Sequence, residues 1–232
     1  MVHHGSAFCV PGNSCWPSPA EWSTLNETVG GRLSSPTAQP GLYANASYMV
    51  YPNWQHVNGS TEASLALPAL AVTARNSDDV VETVRFANKY DIRLVVKSTG
   101  HSHTGDSTAA DALLLMLASM QDVQFSSSFD DGCGSPEPHP AAVTVQPGVT
   151  FGKIYPMAAA QSYEIVGGGG PTVSAAGGYL AGGGHSPLGR ALGTVLLVLP
   201  VSRLPFSLPA CLRAYLSASL SVCLTPSQYQ RR

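Results

Sequence analysis

His101 and His103 stand two residues apart in the stretch Ile92 to Ser107, IRLVVKSTGHSHTGDS. The apolar run Leu94, Val95, Val96 reads as a strand that stops at a polar turn. In that turn Gly100 lies between Thr99 and His101, and Gly105 closes the loop. A turn of this composition offers several backbone N–H groups to an anion, because glycine permits close approach and unusual φ values. It also sets a nucleophilic imidazole beside that anion. Two solvated histidines on a surface loop are the plain alternative, but the stretch does not stand alone.

A second cluster, Gly167 to Gly193, reads GGGGPTVSAAGGYLAGGGHSPLGRALG, and eleven of its 27 residues are glycine. Such density suggests backbone laid directly against something flat or anionic. A flexible linker is the competing explanation. Against it, Pro171, Val173, Tyr179, Leu180 and His185 are interspersed at packing-competent positions.

Other chemistries fit less well. Gly148 to Lys153, GVTFGK, has three residues between its glycines and is not a P-loop. No G-x-G-x-x-G opens a helix and no acidic residue follows Glu164, which disfavours a Rossmann site. No G-x-S-x-G elbow occurs. His101 and His103 could share one face of a strand with His185 as a third metal ligand. No carboxylate-rich or thiolate partner is adjacent, so no metal site is expected.

The elements that must position these residues are partly readable. Ala69 to Ala74 is a short apolar segment, and Asn76-Ser77-Asp78-Asp79 is a helix start with acid in its first turn. Val80, Val81, Val84 and Ala87 mark one helical face that ends near Tyr90, and the strand Arg93 to Val96 follows. Strand, helix and strand in this order predict a βαβ unit with its functional loop after the second strand. Leu113 to Leu117 is a further strand, and Ser126 to Pro140 an exposed loop. Val143 to Val145 runs into the Pro147-Gly148 turn, Thr150 caps a helix to about Ala160, and Glu164 to Val166 reads as a strand. That order predicts a second βαβ-like unit feeding the glycine cluster.

With 232 residues the chain can bury a real core as one domain or two small ones. A net charge of −2 gives no electrostatic case for nucleic acid or an acidic membrane. Only 11% of residues are charged against 23 glycines and 18 prolines, a loop-rich composition. Five cysteines are too few and too spread for a zinc ribbon or a C-x-x-C site, although Cys9 and Cys15 could close a small disulfide loop. Three sequons, at Asn26, Asn45 and Asn58, together with that pair lean towards a secretory history. Met1 to Val10 shows no apolar h-region, so no signal peptide is visible; either the protein is cytosolic or its first exon is missing, and the second reading is preferred.

Residues 1–60 read as an irregular leader with at most one short helix, near Pro19 to Val29, and Trp16, Trp22 and Trp54 as isolated anchors. Residues 61–193 carry the functional domain. The last 39 residues, 194–232, hold no glycine, no acid, nine leucines and four arginines. Pro200, Pro205, Pro209 and Arg203 break any membrane-spanning run, and no period of 2 or 3.6 marks a packed element. This tail is expected to be non-native sequence from intron read-through or a frameshift.

KSTGHSHTGDS (Lys97 to Ser107) together with VGGGGPTVSAAGGYLAGGGHSPLG (Val166 to Gly189) resembles the FAD-linked oxidases with a PCMH-type FAD-binding domain. The intervening QPGVTFGKIY (Gln146 to Tyr155) and the leading CVPGNSCWPSPAEW (Cys9 to Trp22) strengthen the resemblance, which is greatest to the fungal, berberine-bridge-enzyme-like oxidases. It covers roughly Cys9 to Gly193 and supports a Cys9–Cys15 disulfide.

The resemblance implies an α+β fold, a PCMH-type FAD-binding domain of two α/β subdomains with the second incomplete. Ser98 to His103 would wrap the FAD pyrophosphate through backbone amides, and His101 would be joined covalently to the flavin 8α-methyl group. The implied cofactor-binding residues of the first motif are Lys97, Ser98, Thr99, Gly100, His101, Ser102, His103 and Ser107. Gly148 is implied in the linking segment. In the second motif they are Gly169, Gly170, Thr172, Val173, Gly177, Gly178, Tyr179, Gly182, Gly183, Gly184, His185 and Ser186, running along the ribityl chain and isoalloxazine ring, where a Cβ would collide.

Two departures from the family pattern matter. Bicovalent members carry a cysteine just before Pro-Thr-Val; here Gly170 stands there, so only the histidyl bond is expected. The family's domain also continues well beyond Gly193 into a substrate domain, so the sequence points to no catalytic base. The implied function is oxidation of an alcohol, sugar or amine-type small molecule with O₂ as acceptor, in a secreted protein of open oligomeric state. The alternatives are an inert fragment that cannot complete its flavin site, or a non-flavin small-molecule or metal-binding module.

Overall fold

The computed structural model describes residues 8–35, 67–102, 106–128 and 142–192, and the backbone of 220–223 and 225–226. Trp54, His103 and the sequons at Asn45 and Asn58 lie outside the described residues. The chain divides into two compact units, Met1–Ser119 and Met120–Arg232.

In the first unit Cys9 and Cys15 are disulfide-bonded, with Cα atoms 5.9 Å apart. Cys9 donates its N–H to the Asp91 carbonyl at 2.8 Å and pairs in parallel with Ile92. Helix α1 (Pro19–Thr28) forms where the sequence predicts it. Its start is fixed by a capping box: the Ser18 hydroxyl accepts from the Glu21 N–H, and the Glu21 carboxylate accepts from the Ser18 N–H at 2.7 Å. Pro19 at the first turn loses no helical hydrogen bond there. The inward face buries Trp22 and Leu25. The Trp22 ring lies 5.4 Å from Trp16 and 4.7 Å from Phe86, and the Tyr90 hydroxyl donates to Glu21 at 2.6 Å. Asn26 lies inside α1, where its Oδ1 accepts from the Leu33 N–H at 3.0 Å.

The sheet of this unit runs β1 (Leu33–Ser34), β2 (Leu70–Thr73), β4 (Leu113–Met116), β3 (Leu94–Lys97), with helix α2 (Ser77–Lys89) between β2 and β3 in sequence. β2 and β3 both run parallel to β4, which lies between them, and β1 is antiparallel to β2. The predicted βαβ unit is therefore present, with β4 inserted between its strands. Asn76 caps α2 by accepting the Asp79 N–H at 2.9 Å, and Asp78 and Asp79 sit at the positive end of its dipole. The buried stripe of α2 is Asp79, Val80, Thr83 and Ala87, while Val81 and Val84 are half-buried. The Asp79 carboxylate takes both its oxygens to Arg32 Nη2, at 2.5 and 2.6 Å, and accepts the Arg75 N–H at 2.8 Å. Val72 and Leu113 to Leu115 form the centre of the core.

The second unit departs from its sequence reading. β5 (Val123–Ser126) and β6 (Ala142–Val145) are antiparallel, and β8 (Leu220–Cys223) adds antiparallel to the other side of β6. Helix α3 (Phe151–Ala159) follows β6, but the next strand, β7 (Tyr163–Glu164), pairs with β9 (Thr225–Pro226) and not with β6. The expected second βαβ-like unit is thus an antiparallel sheet with a helix, and the strand expected at Glu164 to Val166 falls at Tyr163–Glu164. β5 had no counterpart in the sequence reading. Its four residues alternate, with Val123 and Phe125 packed on the core of Val143, Val145, Val149, Phe151 and Ile154. In the tail, where no packed element was expected, the backbone of 220–223 and 225–226 forms two strands. Thr150 stands at the N-cap of α3 by backbone position, but its side chain makes no capping hydrogen bond. Short helices α4 (Gly178–Ala181) and α5 (Gly189–Leu192) lie within the glycine cluster.

Candidate functional site

In the first unit the carboxyl end of β3 delivers the chain directly into the Ser98–Ser102 turn. Gly100 has φ +77°, a left-handed conformation in which a Cβ is strained. Thr99 is buried and His101 half-buried next to it. The Ser102 hydroxyl accepts the Asp106 N–H at 3.2 Å and donates to the Asp106 carboxylate at 3.3 Å, which ties the two ends of the loop together. Ser107 and Thr108 are buried behind it. Lys97, Ser98, Thr99, Gly100, His101, Ser102 and Ser107 are therefore brought onto one loop, while His103 lies outside the described residues. Asp106 has no place in the sequence reading; its signal is the Ser-x-x-x-Asp spacing across a glycine-containing turn.

Lys97, the last residue of β3, is 1% exposed, and its Nζ has no hydrogen-bond partner among the described residues. Burial pushes its ammonium down to about 8. The unfolded chain keeps a lysine near about 10.4, so between these values the unfolded state binds more protons. The charged side chain costs stability in full below about pH 8, and the cost is relieved as pH rises towards the unfolded value. Thermal melts of the ligand-free chain are expected to rise between about pH 8 and 10 relative to Lys97→Met. Parallel curves for the two proteins would rule out a buried ammonium at this position.

In the second unit the ribbon 171–175 is hydrogen-bonded along 147–152. Phe151 donates its N–H to the Val173 carbonyl at 3.0 Å, Gly152 to Pro171 at 2.8 Å, and Ala175 to Val149 at 2.9 Å. The buried Ser174 hydroxyl donates to the Pro147 carbonyl at 2.5 Å. Gly152 is required by this approach, since a Cβ there would stand 2.8 Å from the Pro171 oxygen. Gly148 serves the scaffold: its N–H goes to the Met120 carbonyl, and its own carbonyl accepts from Gln121 Nε2 at 2.7 Å.

The ribbon then passes over three rings. Phe151 stacks with Tyr155 at 5.3 Å between centroids and meets Tyr179 edge-on at 4.8 Å. A Cβ at Gly167 would overlap the Phe151 ring, one at Gly168 would press on Phe151 and Tyr179 at 3.0 Å, and one at Gly184 would overlap Tyr179. The Tyr155 hydroxyl donates to the Gly168 carbonyl at 2.6 Å and Tyr179 to the His185 carbonyl at 2.8 Å. Burial pushes the Tyr155 phenol up to about 12 and raises that of Tyr179. Both stay neutral donors at ordinary pH.

Beside the ribbon is an open hollow of about 440 Å³ lined by Gly178, Tyr179, Gly182, Gly183, Gly184 and His185. The structure revises the reason for the glycines here. Gly184 answers to Tyr179, Gly170 to Val173 and Gly182 to the Gly178 carbonyl, all groups of the chain itself. Gly169 and Gly178 face open space, with nothing within 4 Å of a Cβ. Gly183 has φ +94°. Gly177 is half-buried, Thr172 and His185 are exposed, Val173 packs on the core, and Ser186 accepts the Leu188 N–H at 3.2 Å. The Phe151, Tyr155 and Tyr179 group was missed as a unit; its signal is the i, i+4 aromatic pair on α3.

A family model described as "FAD binding domain" matches residues 68–199. An uncharacterized FAD-linked oxidoreductase of Arthroderma benhamiae is 33% identical over 78% of this chain and 37% of that protein. The VAO-type flavoprotein MtVAO615 of Myceliophthora thermophila has TM-score 0.65 at 28% identity, covering 82% of this chain and 40% of that one. A variant of berberine bridge enzyme shares the fold, with TM-score 0.57 at 18% identity over 75% of this chain and 33% of that one. The chain spans less than two fifths of the length of the A. benhamiae relative. The family match takes in β2, the His101 loop and the whole glycine cluster, and the chain belongs to the FAD-binding domain family of the VAO-type, FAD-linked oxidoreductases.

Proposed function

We propose that this chain is the FAD-binding part of an oxidoreductase that oxidises an alcohol, sugar or amine-type small molecule with O₂ as acceptor, its flavin joined through His101. The residues fit such a group on their own chemistry. A positive-φ glycine adjoins His101, a buried ammonium without a hydrogen-bond partner ends the strand that leads to it, and in the second unit the open-facing Gly178 borders a hollow beside Tyr179. When bound, FAD supplies the two-electron oxidation; the chain supplies binding, orientation and electrostatics. The Ser98–Ser102 backbone and Lys97 would hold the phosphates, and Gly169 and Gly178 would leave room for a flat ring. Tyr155 and Tyr179 donate to ribbon carbonyls, which keeps the ribbon in shape. With Gly170 in place of a second tether, a single covalent bond is expected. A secreted setting is supported by the Cys9–Cys15 disulfide.

The observation that carries this reading is the half-buried His101 placed immediately after Gly100 at the end of a parallel strand. Acid precipitation tests it. The wild-type pellet should keep its yellow flavin, with the FAD mass on the peptide containing His101, and His101→Ala should release it all to the supernatant. A colourless wild-type pellet from a chain produced with ample riboflavin would overturn the covalent assignment.

A further inference from the structure

Lys97 is a misfit for a structural residue. Lysines are almost never fully buried unless paired, and a lone ammonium in a protein interior is costly. Its pairing strand offers no relief: Lys97 lies opposite Met116, and β4 is Leu-Leu-Leu-Met. Elsewhere in this unit the buried charge of Asp79 is matched by the Arg32 guanidinium and the Arg75 backbone N–H. The contrast is informative, because the same fold satisfies one buried charge and leaves the other open. The open one stands at the carboxyl end of a parallel strand, where α/β sheets hold their ligands, and it leads straight into the positive-φ turn at Gly100.

We propose that Lys97 is a buried counter-charge for the diphosphate of the cofactor, left without a carboxylate so that a ligand oxyanion completes its pairing. The proposal rests on the FAD reading and adds a role for a side chain that backbone recognition of phosphate does not require. It predicts a division of labour: the turn fixes where the diphosphate sits, and the lysine makes the site discriminate charge. A nucleoside without phosphates gains nothing from Lys97. Free pyrophosphate gains from it as a bound nucleotide does.

The test is calorimetric titration of the full chain, produced under riboflavin limitation, with FAD, ADP, pyrophosphate and adenosine. Lys97→Met and Lys97→Gln should weaken ADP and pyrophosphate at least tenfold, leave adenosine unchanged, and raise the melting temperature of the ligand-free chain. Lys97→Arg should recover part of the ADP affinity, which a purely structural lysine would not do. Equal ADP affinity in wild type and both neutral variants overturns the proposal while leaving FAD binding intact. An equal loss for adenosine and ADP overturns it too, since the defect is then structural. If the wild type binds FAD but neither ADP nor pyrophosphate, the diphosphate assignment is wrong. If it binds none of the four, the FAD reading falls first and this one with it.

Discussion

Asp79→Ala is expected to cost the first unit about 3 kcal/mol, seen as a lowered urea midpoint with the slope unchanged. The carboxylate is 4% exposed and is the shared partner of Arg32 and the Arg75 N–H. Truncating it leaves a guanidinium whose Nε already lacks a partner, and it frees β1 from the start of α2. The cost is set at the lower end for a broken buried pair because Arg32 keeps 24% of its side chain in water. Asp79→Asn should fall between, since it keeps an acceptor but not the charge. A shift equivalent to less than 1 kcal/mol for the alanine variant would mean that this pair does not organise the unit.

The second large effect separates two neighbouring glycines. Gly167→Ala drives a methyl into Phe151 and to 2.7 Å from the Tyr155 oxygen, an overpacking with an expected cost of about 1–3 kcal/mol. Gly169→Ala meets nothing within 4 Å, so its stability should change by less than about 0.5 kcal/mol. On the proposed function the ranking reverses for the ligand: Gly169→Ala keeps the fold and loses flavin. Melting curves and flavin absorbance on the same two samples check both halves. If Gly169→Ala holds its flavin as wild type does, that face of the ribbon is not the flavin side.

What could be read in advance followed the range of the interactions. α1, α2, β2, β3 and the His101 loop are set by local signals: the Asn76 cap, acids in the first turn, an apolar run ended by Gly100. Those signals act within a turn or two of chain, and the sequence contains them whole. β5, β8 and β9 are different. Segments as short as Val123 to Ser126 carry too little pattern to be told from loop, and become strands only because a partner lies alongside, β6 for β5 and β8 and β7 for β9. The second unit was misread as parallel for the same reason, since order along the chain does not say which edge of β6 is taken. The glycine cluster was recognised as a surface for close approach, but the object approached was misjudged in part. No local rule says that Phe151 and Tyr179 fold back under Gly167, Gly168 and Gly184.

The leader described above also imposes an order of events during synthesis. The capping box of α1 and the Cys9–Cys15 ring use partners within a few residues, and both can form as soon as that segment leaves the ribosome. The apolar face of α1 must wait. Trp22 packs on Phe86, the Glu21–Tyr90 bond spans 69 residues, and Cys9 pairs with the backbone at Asp91 and Ile92. Until that much more chain has emerged, Trp22 has only Trp16 beside it and lacks Phe86, and a nascent chain with an exposed tryptophan face is a binding target for chaperones. The disulfide ring and the capped helix therefore act as a preassembled plug, finished early and seated late, when the end of α2 arrives to receive it.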